Sequence, residues 1–270
     1  MSNTELIMLG TGNAMVTRCY NTCFALRNQE EYLLVDAGGG NGILAQMEKA
    51  GIPFEKVHAM FVSHGHTDHV LGVIWVVRKI SAMMKNDTYT GDFVIYCHAQ
   101  LAEMIRSFCV QLLPGTFTRL FDERIWITVV EEGQEEQAAG FKLRFFDIDS
   151  TKKKQFGFCA ELPDGKKLVY LGDEPFNERN RTYAGGGDWL MSEAFCLDEE
   201  KDKFKPYEKH HSTARDAGRT AQELGVQNLI LYHTEDSDLK HRKERYTREA
   251  GTYFKKAIFV PDDLERILLC

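Results

Sequence analysis

Short apolar runs, separated by polar and turn-forming residues, recur along the whole chain. Many are rich in β-branched and aromatic residues, which is the signature of strands. Strands are predicted over 5–9, 22–26, 32–35, 56–62, 93–96, 124–130, 141–148, 156–162, 167–171, 189–191 and 228–232. Apolar residues spaced three and four apart predict helices over 42–50, 70–84, 99–112, 213–224, 246–255 and 261–268. Leu162-Pro163-Asp164-Gly165-Lys166 is a hairpin turn. The charged segments 131–137 and 198–205 read as solvated loops. Strands interleaved with helices, around a hairpin-rich middle, predict an α/β sandwich of mixed sheets. No long linker or repeat divides the chain, so 1–270 is expected to be one domain.

Five of the apolar runs end in a side chain suited to a metal ion. Asp36 follows Tyr32-Leu33-Leu34-Val35, Asp149 follows Phe145-Phe146-Asp147-Ile148, Asp173 follows Leu168 to Gly172, and His233 follows Leu229 to Tyr232. The fifth run, Met60-Phe61-Val62, leads into Ser63-His64-Gly65-His66-Thr67-Asp68-His69. Any one strand-terminal Asp is as readily a turn or cap residue, but five such coincidences are not. In an extended segment His64 and His66 point to the same side and can grip one ion. Asp68 and His69 fall where a helix should begin and can serve a second ion. Imidazole and carboxylate together suit zinc, manganese or iron.

Composition narrows the class. Hydrophobic content of 43% and charged content of 27% are those of a globular protein. No apolar run approaches the roughly 18 residues of a membrane span. The first residues lack a basic stretch before an apolar one, so no secretory leader is expected. Seven cysteines without a CxxC pair predict free thiols and a cytoplasmic setting. A net charge of −7 argues against a protein that coats nucleic acid. Local basic stretches remain at Lys152–Lys154 and at Lys240, Arg242, Lys243, Arg245 and Arg248; both follow a predicted site loop and could touch phosphates, but each is more simply a solvated face. Neither a nucleotide-triphosphate loop nor a serine-nucleophile elbow is present in the sequence.

His64-Gly65-His66-Thr67-Asp68-His69, together with Asp36, Leu171-Gly172-Asp173 and Leu231-Tyr232-His233, resembles the metallo-β-lactamase-fold hydrolases. The match runs from Leu9-Gly10-Thr11-Gly12 to His233. Leu190-Met191-Ser192-Glu193-Ala194 and His211-Ser212-Thr213-Ala214 are most similar to the ribonuclease Z branch. The resemblance implies an αββα sandwich, with two mixed β-sheets flanked by helices. It implies two divalent ions, zinc first, with manganese or iron as alternatives. One ion would take His64, His66, position 149 and Asp173; the other would take Asp68, His69, Asp173 and His233, with Asp173 as the bridge. Asp36 would orient a ligand imidazole. Asp68, Glu193 and His211 carry the catalytic expectation: a hydroxide shared by the ions attacks in line, and Glu193 with His211 assists the leaving group. A homodimer is implied by resemblance only.

The chain departs from that pattern at position 149, where the family usually has histidine. Anchoring on Gly157-Phe158 would put Thr151 there, and anchoring on the strand end puts Asp149 there, with Asp147 able to substitute. A carboxylate would make the site harder and more anionic. The long basic arm frequent in transfer-RNA-processing relatives is not visible. The expected function is a ribonuclease Z-like phosphodiesterase, with RNA as a candidate substrate and no membrane partner. The alternatives are a hydrolase of the same fold acting on a small ester, lactone or cyclic phosphodiester, and a metal-binding sensor or degraded enzyme.

Overall fold

Strand alternation explains the layering. In β1 (Thr4–Gly10), Leu6 and Met8 enter one apolar core while Ile7 and Leu9 enter another. Both faces of the strand are therefore covered, which is why it reads as a continuous apolar run. The computed structural model describes residues 4–270; residues 1–3, part of the stretch on which the expectation of no secretory leader rests, lie outside the described residues.

The first sheet contains β1, β2 (Cys23–Asn28), β3 (Glu31–Val35), β4 (Val57–Phe61), β5 (Phe93–Cys97), β6 (Ile125–Val129) and, on its other edge, β14 (Arg266–Leu268). The second contains β7 (Glu135–Ala138), β8 (Phe141–Asp147), β9 (Phe156–Glu161), β10 (Lys167–Tyr170), β11 (Trp189–Glu193), β12 (Asn228–Tyr232) and β13 (Ala257–Phe259). Each sheet mixes parallel and antiparallel pairs. The two sheets share an inner core, where Phe61 of the first stacks on Phe145 of the second at 5.4 Å between ring centroids. Outside the first sheet lie α1 (Gly42–Lys49), α2 (Thr67–Lys85) and α3 (Ala99–Leu112); outside the second lie the helices Ala214–Leu224 and Arg242–Ala250. This is the αββα sandwich that the resemblance implies.

Four local expectations are corrected. The predicted helix over 261–268 is instead a turn followed by β14, which pairs antiparallel with β1. Leu264 takes a left-handed φ of 70° and its N–H donates to the Met8 carbonyl at 2.6 Å, so sheet pairing overrides the helical spacing. The charged segment 131–137 contains the start of edge strand β7, whose exposed charges suit an unpaired edge. Segment 198–205 is a 3-10 turn and a short helix (Lys201–Phe204), not a plain loop. The helix predicted over 246–255 begins earlier, at Arg242. Among the described residues no helix is long and apolar enough to cross a membrane.

Candidate metal centre

Strands of both sheets deliver the site. Asp36 follows β3 in a left-handed conformation (φ 54°), and His233 follows β12 in another (φ 58°). Beyond β4 the chain stays extended through His64 and His66, then winds into α2, whose first turn carries Asp68 and His69. Beyond β10, Gly172 adopts φ 74° and turns the chain into Asp173. A side chain at Gly172 is excluded twice, because a Cβ there would stand 1.9 Å from Gln155 Oε1.

The donor atoms converge. His64 Nε2 faces His66 Nδ1 at 2.8 Å. Asp173 Oδ2 lies 3.4 Å from His64 Nε2 and 3.6 Å from both His69 Nε2 and His233 Nε2. Asp68 Oδ2 lies 3.5 Å from His69 Nε2 and 3.4 Å from His233 Nε2. His64, His66 and Asp173 form one trio, and Asp68, His69 and His233 another, each with its donor atoms within 4.8 Å of one another. One carboxylate oxygen, Asp173 Oδ2, touches both. Its partner oxygen is occupied: Gln155 Nε2 donates to Asp173 Oδ1 at 2.5 Å, and the Asp173 N–H donates to Gln155 Oε1 at 2.7 Å.

Asp36 lies behind the cluster and is wholly buried. Its Oδ1 accepts the Ser63 N–H at 2.7 Å; its Oδ2 accepts the Ser63 hydroxyl at 2.7 Å and the Tyr170 hydroxyl at 3.0 Å. The same Oδ2 meets His69 Nδ1 at 2.9 Å, which fixes that ring so that Nε2 points into the cluster. Ser63 Oγ similarly holds His64 Nδ1 at 2.9 Å.

The residues fit divalent cations. Three carboxylates, Asp36, Asp68 and Asp173, are buried together, and His69 Nε2 has no hydrogen-bond partner. Buried carboxylates need a counter-charge. Despite the opposing effect of burial, His69 and His233 hold Asp68 below the ordinary carboxylate range. His64, His233 and His69 do the same for Asp173. Burial, then His64, pushes His66 down to about 4, which leaves its lone pair free near neutrality. Asp68 and Asp36 raise His69 against the effect of burial.

The structure does not bring Asp149 to this cluster. The chain turns left-handed there (φ 61°), and the side chain, 52% exposed, meets Asn177 Nδ2 at 3.3 Å and Arg179 Nη1 at 3.4 Å. Neither alternative replaces it. Asp147 pairs with Lys154 at 3.3 Å, and Thr151 Oγ1 bonds His210 Nδ1 at 2.7 Å. Loop closure between the Ile148 N–H and the Gln155 carbonyl (3.1 Å) instead puts Gln155 against Asp173.

Glu193 and His211 are neighbours but not a tight pair, at 3.7 Å between Oε2 and Nδ1. The buried Glu193 carboxylate instead accepts the N–H groups of Ser212 (2.6 Å) and Phe195 (3.1 Å). The His211 ring stacks on Phe195 and stands 5.1 Å from the His233 ring. It opens onto a cavity of about 510 Å³, whose wall includes Asn13, Met15, His66, Asp68 and Lys209. Sequence reasoning missed Ser63, Gln155, Tyr170 and Glu174. Of these, Ser63, adjacent to the histidine segment, and Glu174, adjacent to Asp173, carried a positional hint.

Comparison with known proteins agrees with the fold. The family model described as "Anti-Pycsar protein Apyc1" matches residues 4–250. A ribonuclease Z of Thermococcus sibiricus is 26% identical over 305 residues, covering 98% of this chain and 96% of its own. The metallo-β-lactamase fold protein YhfI of Bacillus subtilis superposes with a TM-score of 0.78 at 19% identity, over 98% of this chain and 99% of its own. The short form of human tRNase Z gives 0.74 at 20% identity, over 98% and 99%.

Proposed function

The chain belongs to the anti-Pycsar protein Apyc1 family, and on that premise we propose that it is a dinuclear phosphodiesterase acting on a compact phosphodiester. It is a metal-dependent hydrolase of the metallo-β-lactamase fold. The observation that supports two ions is Asp173 Oδ2, which lies within 3.6 Å of three imidazole nitrogens drawn from both trios. In this reading His64, His66 and Asp173 would hold one ion, and Asp68, His69, His233 and Asp173 would hold the other. Zinc is the first expectation from the mixed imidazole and carboxylate donors, with manganese or iron as alternatives.

Bound there, the ions would supply a water of lowered pKa and charge stabilisation for the phosphoryl oxygens. The chain's own residues do the rest. Asp36 fixes the His69 ring and Ser63 fixes that of His64. Asp68, kept ionised, accepts a hydrogen bond from the attacking water. His211, on the cavity wall, hands a proton to the leaving oxygen. Glu193 acts through another group, holding the Ser212 amide and so placing His211.

The cavity volume lies in the range of small-molecule sites, roughly 300–1,000 Å³. This favours a compact phosphodiester, linear or cyclic. RNA cleavage is the second reading, favoured by relatives named ribonuclease Z that align over nearly the whole chain. Turnover of bis(p-nitrophenyl) phosphate with added Mn²⁺ or Zn²⁺ tests the diesterase; no turnover with any divalent ion overturns it and leaves a metal-binding sensor. Cleavage of a precursor transfer RNA at rates matching small diesters would favour the second reading.

A further inference from the structure

Three consecutive lysines, Lys152 to Lys154, occupy the loop between β8 and β9, where the resemblance places a further metal ligand. They do not behave alike. Lys152 and Lys153 line the cavity, whereas Lys154 lies outside it, paired with Asp147 at 3.3 Å and resting over the Phe156 ring. Lys153 Nζ donates to the Gly65 carbonyl at 3.3 Å, between His64 and His66. The bare Gly65 backbone admits it, since a Cβ there would stand 3.1 Å from Lys153 Cε. Lys152 Nζ lies 3.4 Å from His211 Nε2 and 3.8 Å from Glu174 Oε1. Lys153 forms no ion pair among the described residues.

The loop is preformed. Ser150 Oγ donates to Glu174 Oε1 at 2.5 Å and accepts the N–H groups of Lys152 and Lys153, each at 3.2 Å. The Thr151 N–H donates to Glu174 Oε2 at 3.4 Å. Glu174 is itself buried and directly follows Asp173, so one segment sets both the bridging carboxylate and the lysines. Two ammonium groups beside a cluster built for cations repel it unless an anion lies between them.

We infer, on the phosphodiesterase reading, that Lys152 and Lys153 clamp the substrate's phosphate beside His66. Preorganisation by Glu174 lowers the ordering cost of that contact. Lys154, the next residue in the loop, takes no part.

Calorimetric titration of the Mn²⁺-loaded protein with inorganic phosphate tests the clamp without relying on turnover. Lys152→Gln and Lys153→Gln should each weaken phosphate binding by about tenfold, the cost of one charge-assisted contact, and the double variant should weaken it further. Lys154→Gln should stay within about twofold, a difference too small for a lost contact. Metal content should be equal in the parent and all four variants. The clamp is overturned if the parent protein does not bind phosphate, if the double variant binds like the parent, if Lys154→Gln weakens binding as much, or if weakening tracks metal loss. Lysine-dependent phosphate binding without diester turnover would sustain the clamp and overturn the phosphodiesterase reading alone.

Discussion

The two ends of the donor cluster are held differently. At one end, Asp68, His69 and His233 are all buried, Asp36 grips His69 from behind, and Asp173 completes four protein donors. At the other, His64 and His66 with Asp173 make three, His66 is only half-buried, and the loop expected to supply a fourth supplies lysines. The lesson is one of unequal grip. On the proposed ligand assignment the four-donor end would retain its ion more tightly, while both ends face the cavity, through Asp68 and His233 at one and the half-buried His66 at the other.

Removing the shared oxygen should have the largest effect. Asp173→Ala should strip both ends and cut hydrolysis by about a thousandfold, since several kcal/mol of charge stabilisation disappear with the metals. Retention of two equivalents of metal by this variant would contradict a shared bridge. His66→Ala should abolish turnover yet keep about one equivalent of metal, whereas His69→Ala should lose the tightly held ion first; metal analysis of the purified variants distinguishes them. Near-normal rates in His66→Ala would remove the three-donor end from the chemistry. Asp36→Asn should lower metal affinity at the four-donor end by about 10–100-fold, read by competition with a chromogenic chelator. Equal weakening at both ends would blur the contrast. The smallest effect belongs to Asp149→Ala, which should leave metal stoichiometry and turnover unchanged because its carboxylate meets Asn177 and Arg179 instead. A lost equivalent would return Asp149 to the cluster.

Much of this was readable in the residues because local pattern and final environment agree. Strands buried on both faces leave continuous apolar runs, and ligands placed where those runs end announce themselves by type. Asp36, Asp173 and His233 all belong to this class. The loop after β8 was not readable, because its course is set by contacts distant in sequence. The Glu174 carboxylate pins Ser150, and Gln155 turns inward to Asp173. Nothing about Gln155 as a residue type points to an acidic bridge eighteen positions later. The same holds for Tyr170, which reads as an ordinary core aromatic yet sends its hydroxyl to Asp36. At the C-terminus, Leu264 joins β1 across a separation that helical spacing cannot register.

The origin of the donors has a mechanical consequence. Asp36, His64, His66, Asp68 and His69 hang from the first sheet, and Asp173 and His233 hang from the second. An ion held between them would rivet two layers that are also joined by side-chain packing and by hydrogen bonds such as Tyr170 to Asp36 and the Phe156 N–H to the Ser63 carbonyl. Because the unfolded chain cannot present that donor set, metal binding and resistance to unfolding become one equilibrium, with a gain of about 2.7 kcal/mol when free metal stands a hundredfold above its dissociation constant. The tool that performs the hydrolysis is then also a fastener, and a cell that withholds the metal weakens the scaffold as well as idling the site.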